Sequence, residues 1–150
     1  MVIRSIQAGD ELQLIDLGHE MWSESKIFMK HPISIDKLMN LSKNLFTSPY
    51  IEGYVYVNSE GIQGMWIGRL DTLWYSDDLF VSDIAFFVSK RYRGTSAAIR
   101  LLTAASSWAK SMGATEISVG LSSGIDTEKT VCFFKKMGFY TKAIQMTKEI

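Results

Sequence analysis

Apolar residues recur along this chain in two rhythms, every second residue or every third to fourth, and the alternation between them lays out the elements. Val2 to Ile6 is a short apolar run that predicts a strand. Asp10, with Gln13 three positions on, predicts the N-terminus of a helix burying Leu14, Leu17 and Met21. After Pro32, Ser34 caps a second predicted helix with Ile35, Leu38, Leu41 and Leu45 on one stripe, ending near Pro49. Three strands are predicted next, Tyr50–Val57, Ile62–Leu70 and Leu79–Val88. The first two are joined by an Asn58-Ser59-Glu60-Gly61 turn and the last two by a loop rich in Asp, Trp and Tyr, so they form an antiparallel meander.

From Ser96 the rhythm becomes helical again. Ala98, Leu101, Leu102, Ala105, Trp108, Ala109 and Met112 share a face, and Gly113 stops the helix. Thr115–Leu121 follows as a strand. Asp126 or Thr127 then caps a helix carrying Val131, Phe133, Phe134 and Met137 and closed by Gly138, and Phe139–Ile150 reads as a last strand. The predicted order is βααβββαβαβ, without repeats or a linker, so residues 1–150 are expected to form one domain. The crossover from strand Leu79–Val88 through a helix to strand Thr115–Leu121 is expected to be parallel and right-handed. This gives a mixed, mostly antiparallel sheet around a central parallel βαβ unit, with helices on both faces. Ligands are expected at the carboxyl end of strand Leu79–Val88.

That end runs straight into Val88-Ser89-Lys90-Arg91-Tyr92-Arg93-Gly94-Thr95-Ser96-Ala97-Ala98 and the strongest helix. A turn of small residues lets successive N–H groups approach an anion, and the helix N-terminus adds about half a positive charge, which suits phosphate. A tight turn with solvated basic residues is the structural alternative. The Gly-x-x-x-x-Gly-Lys-Ser/Thr and Gly-x-Gly-x-x-Gly patterns are absent.

Tyr92-Arg93-Gly94-Thr95-Ser96-Ala97-Ala98 resembles the coenzyme A loop, Arg/Gln-x-x-Gly-x-Gly/Ala, of the GNAT superfamily of acyl-CoA-dependent N-acyltransferases. Thr130-Val131-Cys132-Phe133-Phe134-Lys135-Lys136-Met137-Gly138-Phe139 resembles the late helix of that superfamily, and the element order matches along the chain. Asp83-Ile84-Ala85-Phe86-Phe87-Val88 followed by Arg93-Gly94-Thr95 is similar to small GNAT proteins of bacteriophage genomes. The resemblance implies the GNAT fold and acetyl-CoA as acyl-donor cosubstrate. It implies that amides of Arg93, Gly94, Thr95, Ser96, Ala97 and Ala98 hold the pyrophosphate, with Lys90, Arg91 or Arg93 side chains on the phosphates. Pantetheine would pair with the backbone of Phe86, Phe87 and Val88, where an N–H near Phe86 or Phe87 polarises the thioester carbonyl.

Two positions depart from the pattern. Ser96 replaces a Gly, so its side chain has to turn away from the pyrophosphate or donate to it. Phe134, placed beside the cofactor, stands where the superfamily often has a Tyr that protonates the departing thiolate. A coenzyme A thiol, with a pKa near the 8.5 of Cys, leaves tolerably without that acid.

An acceptor amine with a pKa of about 10.4 needs a base. Asp83, inside the strand that leads to the loop, is the candidate; its structural alternative is capping a bulge or pairing with an Arg. Asp77 and Asp78 read as turn residues. Ser122 and Ser123 end a strand or relay a proton to the thiolate. Trp22, Glu24, Ser25 and Phe28, at the exit of the first helix, are expected on the acceptor side, where Glu24 would attract a cationic amine or simply be an exposed helix-end acid. His19 and His31 are too few for a metal centre, so no metal is expected. Cys132 reads as a small buried packing residue, which favours direct transfer over an acyl-cysteine intermediate.

Composition narrows the reading further. Forty-seven per cent of the 150 residues are hydrophobic, enough for a core, and 16 Lys+Arg balance 16 Asp+Glu. Zero net charge argues against nucleic acid as a partner and against an acyltransferase toxin acting on aminoacyl-tRNA. The longest apolar run, Leu79 to Val88, is broken by Ser82 and Asp83 and falls far short of the roughly 20 residues of a membrane span. One Cys and no signal-peptide pattern at Met1 suggest a cytoplasmic chain. The expected activity is transfer of acetyl from acetyl-CoA to a primary amine, of a small molecule or a peptide, in a ternary complex; the alternative is a non-catalytic acetyl-CoA-binding or interaction protein. The short segment after Gly138 suggests an exposed sheet edge and a homodimer covering it, or one packing the aromatics Trp74 and Tyr75.

Overall fold

The computed structural model describes all 150 residues. Its elements are β1 (Val2–Ser5), α1 (Glu11–Glu24), α2 (Ile35–Thr47), β2 (Ile51–Asn58), β3 (Gly61–Thr72), β4 (Leu79–Val88), α3 (Ala97–Ser111), β5 (Glu116–Ser118) and α4 (Thr127–Lys136), with short 3₁₀ turns at Phe28–Lys30 and Lys90–Tyr92. The strands form one sheet in the order β1-β2-β3-β4-β5, antiparallel except for the β4–β5 pair. The mixed α/β class and the parallel βαβ unit are therefore as the sequence suggests.

Alternation within β2 and β3 sends side chains to two cores. Tyr56, Trp66, Leu70 and Val81 pack with Leu101, Ala105 and Ala109 of α3 on one face. Val55, Met65, Ile67 and Phe87 pack with Leu14 and Leu17 of α1 on the other, where Leu41 and Leu45 of α2 join them. Trp66 has no exposed surface, and its indole lies so close over Gly68 that a Cβ there would fall 2.2 Å from the ring. Both α3 and α4 end in a Schellman motif. Ala114 N–H donates to the Ala109 carbonyl and Phe139 N–H to that of Phe134, around Gly113 (φ +77°) and Gly138 (φ +90°).

Four expectations need correction. Phe139–Ile150 forms no strand. After Phe139 its backbone finds no ladder partner, because β5 is only three residues long, and the segment is tied instead by the ion pairs Lys142–Glu116 and Lys30–Glu149. The parallel pair consequently sits at the sheet's end and not at its centre. The Asp10–Gln13 capping box does not form. Asp10 accepts from Arg4 (2.6 and 2.9 Å) and from the Gln7 N–H, while the Gln13 Oε1 accepts from Ile62 N–H across at the β2–β3 hairpin. Cys132 is exposed, because the face of α4 turned inward is the one bearing Phe134.

Candidate active site

The site is prepared by a bulge. Ile67 pairs with Ala85 and Gly68 with Asp83, so Ile84 is looped out of the β3–β4 ladder. Pairing between β4 and β5 stops at Ser82–Ser118, where the bulge begins. Beyond it the two strands diverge. Leu79 O accepts from Thr115 N–H toward β5, and Ser89 N–H donates to Gln63 O toward β3. Strand alternation then turns the main chains of Phe86 and Val88 away from β3, onto an edge that no strand occupies. Phe87, by the same alternation, uses its main chain on β3 and its ring in the core.

At the end of this edge the chain turns into α3. Gly94 has φ +79°, a conformation open to Gly and strained for other residues, and a Cβ there would meet nothing within 4 Å. Thr95 Oγ1 donates to Tyr92 O (2.7 Å) and accepts from Ala97 N–H (3.2 Å). The N–H groups of Gly94, Thr95, Ser96, Ala98 and Ile99 have no acceptor within the protein. They form an exposed donor set at the N-terminus of a 15-residue helix, the arrangement that suits a phosphate ester. The Ser96 side chain makes no cap bond and leaves this set open.

At the other end of the edge lies a cavity of about 410 Å³ between α1, α2, the diverged ends of β4 and β5, and α4. Asp83, Ser122, Phe86, Phe134, Trp22 and Phe28 all line it, so six of the residues singled out from the sequence converge there. Asp83 spans the gap between the strands, its Oδ1 accepting from Gly120 N–H at 2.8 Å. Burial raises its pKa to about 6 against the lowering effect of that bond. Phe134, 5% exposed, packs its ring on Phe86 (centroids 5.9 Å apart), Phe133 and Phe139. The Ser122 hydroxyl is exposed on the rim.

Three expected roles are not compatible with the geometry. The Arg93 side chain does not face the loop. It folds inward, Nε donating to Val88 O (2.9 Å), the guanidinium meeting both carboxylate oxygens of Glu24 at 2.8 Å and lying 5.1 Å over the Phe87 ring. Glu24 is thereby a partner of Arg93 and does not reach the cavity. Ser25 is wholly buried, its hydroxyl donating to Ser123 O and accepting from Phe28 N–H, so it fixes the exit of α1 instead of touching an acceptor. Arg91 is exposed and pairs with Glu60 at 2.9 Å, a surface contact weak enough to exchange for a phosphate. Lys90 makes no ion pair, and its side chain is free.

Glu20 was not legible as a site residue. It accepts from the Ser89 hydroxyl (2.8 Å) and Lys90 N–H (3.2 Å), and with Glu24 one helical turn later it fastens the turn to α1. The signal available was the pair of acids spaced i, i+4 opposite a basic turn. Leu38 and Leu41 of α2 line the cavity but carry the same periodicity as core residues, so nothing in the sequence marks them.

No family model and no curated protein matches the chain. Its fold matches solved structures over nearly its whole length. An acetyltransferase from Trypanosoma brucei has a TM-score of 0.75 at 18% identity, covering 99% of each chain. A transcriptional regulator from Bacillus halodurans C-125 reaches 0.80 at 18% identity, again covering 99% of each. AAC(6')-Iy, solved with the bisubstrate analogue CoA-S-monomethyl-acetylneamine, reaches 0.78 at 16% identity, covering 99% of this chain and 97% of that one. The architecture is thus one found among acetyltransferases.

Proposed function

We propose that this chain is an acyl-CoA-dependent N-acyltransferase that moves the acetyl group of acetyl-CoA to a primary amine by direct attack within a ternary complex. The observation that carries this reading is a continuous path from the unpaired N–H groups at the start of α3, along the open edge of β4 at Val88 and Phe86, to Asp83 in the cavity. Acetyltransferases of the same fold, one solved with a coenzyme A bisubstrate analogue, support it.

The residues present fit the donor. The free amides of Gly94, Thr95, Ser96 and Ala98 would take the pyrophosphate, with Lys90 or a released Arg91 nearby, whereas Ala97 N–H is held by Thr95 Oγ1. The Phe86 and Val88 N–H groups and the Phe86 carbonyl serve the pantetheine arm. Val88 O is already taken by Arg93. The ammonium of the acceptor docks on Asp83 and gives it one proton. The amine nitrogen then bonds to the thioester carbon while an N–H of the β4 edge steadies the oxygen. The C–S bond breaks with its electron pair on sulfur, the second amine proton ends on the thiolate, and Asp83 returns its proton to solvent. Ser122 is the hydroxyl available to relay a proton at the rim, since Phe134 has none.

The buried ring of Phe134 favours one other reading, a domain that binds acetyl-CoA without turning it over. Titration calorimetry with acetyl-CoA and desulfo-CoA, followed by thiol release with added amines, separates the two. Micromolar binding of both with amine-stimulated release is expected; binding without release selects the second reading, and no binding removes both. The chain is further expected to pair with a second copy, through the β5 edge or through Trp74 and Tyr75, which are 93% and 62% exposed.

A further inference from the structure

Of the 21 residues lining the cavity thirteen are apolar, and one, Asp83, carries an ionisable side chain. Met21, Trp22, Phe28, Ile33, Leu38 and Leu41, from α1, α2 and the segment between them, make an apolar wall of the same cavity. The remaining polar groups are largely spent at home. Thr130 Oγ1 donates to Asp126 O (3.0 Å), and Ser123 Oγ accepts from Ile125 N–H (3.4 Å). The acids of α1 closest to this wall are committed as well, Glu20 to the β4–α3 turn and Glu24 to Arg93.

One carboxylate receives one ammonium. A second ammonium carried into this space finds no counter-charge, and a cation taken from water without one is strongly disfavoured. A polyhydroxylated body fares little better, because its hydroxyls lose water and gain few partners. A hydrocarbon or aromatic body, by contrast, exchanges water for the six apolar side chains of that wall.

We infer that the acceptor is a small primary amine bearing a single positive charge on an apolar body, such as an alkyl- or arylalkylamine, and that polyamines and amino sugars are excluded by the lack of a second anion in the cavity. This rests on the N-acyltransfer reading for its chemistry and on the cavity alone for its selectivity.

The test is a matched series at saturating acetyl-CoA, hexylamine against 1,6-diaminohexane, with 2-phenylethylamine, spermidine and neamine alongside, read as thiol release. Hexylamine and 2-phenylethylamine are expected to exceed the polycations in kcat/KM by about 100-fold or more, the scale on which an unpaired buried charge discriminates. Equal or better turnover of the diamine or of spermidine overturns the inference. Calorimetry of the same amines on protein loaded with desulfo-CoA keeps the two layers apart. Hexylamine binding without any thiol release refutes acetyl transfer and upholds the acceptor class, whereas diamine binding as tight as hexylamine refutes the class. Ile33→Glu adds a carboxylate from a loop position on the wall and is expected to raise the ratio of diamine to monoamine turnover at least about 10-fold; an unmoved ratio also refutes the assignment of this cavity.

Discussion

Asp83 accepts a structural bond from Gly120 N–H and, on the proposed reading, also takes the proton of the acceptor amine. Its raised pKa, about 6, leaves it ionised at neutral pH and close enough to neutrality to accept and release protons readily. The rate at low substrate is therefore expected to rise with pH along a limb centred near 6. Asp83→Asn keeps an oxygen for Gly120 N–H, so coenzyme binding persists while turnover falls by about 10²-fold or more and that limb disappears; kcat/KM from pH 5 to 8 measures both. Stability moves in the opposite sense. A carboxyl whose folded pKa is raised from 3.8 favours the fold below about pH 4, and that contribution is lost as pH climbs through 6. Asp83→Asn should accordingly melt above the parent at pH 7.5, by an amount worth about 1–3 kcal/mol, and close to it at pH 4. Asp10 works in the other direction. Its hydrogen bonds from Arg4 hold its pKa below the ordinary carboxylate range, so the stability it supplies is lost as acid protonates it.

At the scale of elements, the turn between β4 and α3 depends on Gly94 and on the acids of α1. Gly94→Val forces a β-branched residue to φ +79° and puts a side chain where the phosphate would lie; acetyl-CoA affinity is expected to drop more than about 10-fold by calorimetry. Glu24→Gln leaves the Arg93 guanidinium, 27% exposed, short of its charge partner. A loss of about 2–4 kcal/mol in chemical denaturation is expected, together with weaker coenzyme binding because the turn loses its anchor. These elements also mark what could be read in advance. Strand Leu79–Val88 and helix Ala97–Ser111 were legible to within a residue, since an unbroken apolar run ends at a basic turn and a 3.6-residue stripe ends at Gly113. The strand expected over Phe139–Ile150 failed because its alternation, Tyr140, Ile144, Met146, says that the segment can pair and is silent on whether a partner edge is long enough. Asp83 could be placed beside the cavity because it sits in a strand leading to the loop. The inward turn of Arg93 could not be foreseen, since its partner lies 69 residues away in sequence and a basic residue beside a phosphate-type loop has the same pattern whichever way it points.

For the whole molecule, two cores on the two faces of one sheet keep β4 fixed between them while its far edge is left unpaired. Exposed Ile144 and Met146, 84% and 91% accessible, lie in the segment that runs past β5. Light scattering at micromolar concentration is expected to give twice the 16.9 kDa chain mass, and a mass of one chain would remove the homodimer.

The ion pair between Glu24 and Arg93 bridges the helix that carries Met21 and Trp22 to the turn that carries the donor amides. On the proposed reading, order that a bound phosphate imposed on that turn would be felt by the cavity wall carrying Met21 and Trp22. Because binding free energies are state functions, the factor by which a coenzyme raises amine affinity must equal the factor by which the amine raises coenzyme affinity. The coenzyme and amine sites would thus be linked through the anchors Glu24 and Glu20, and in Glu24→Gln both factors are expected to fall toward one together.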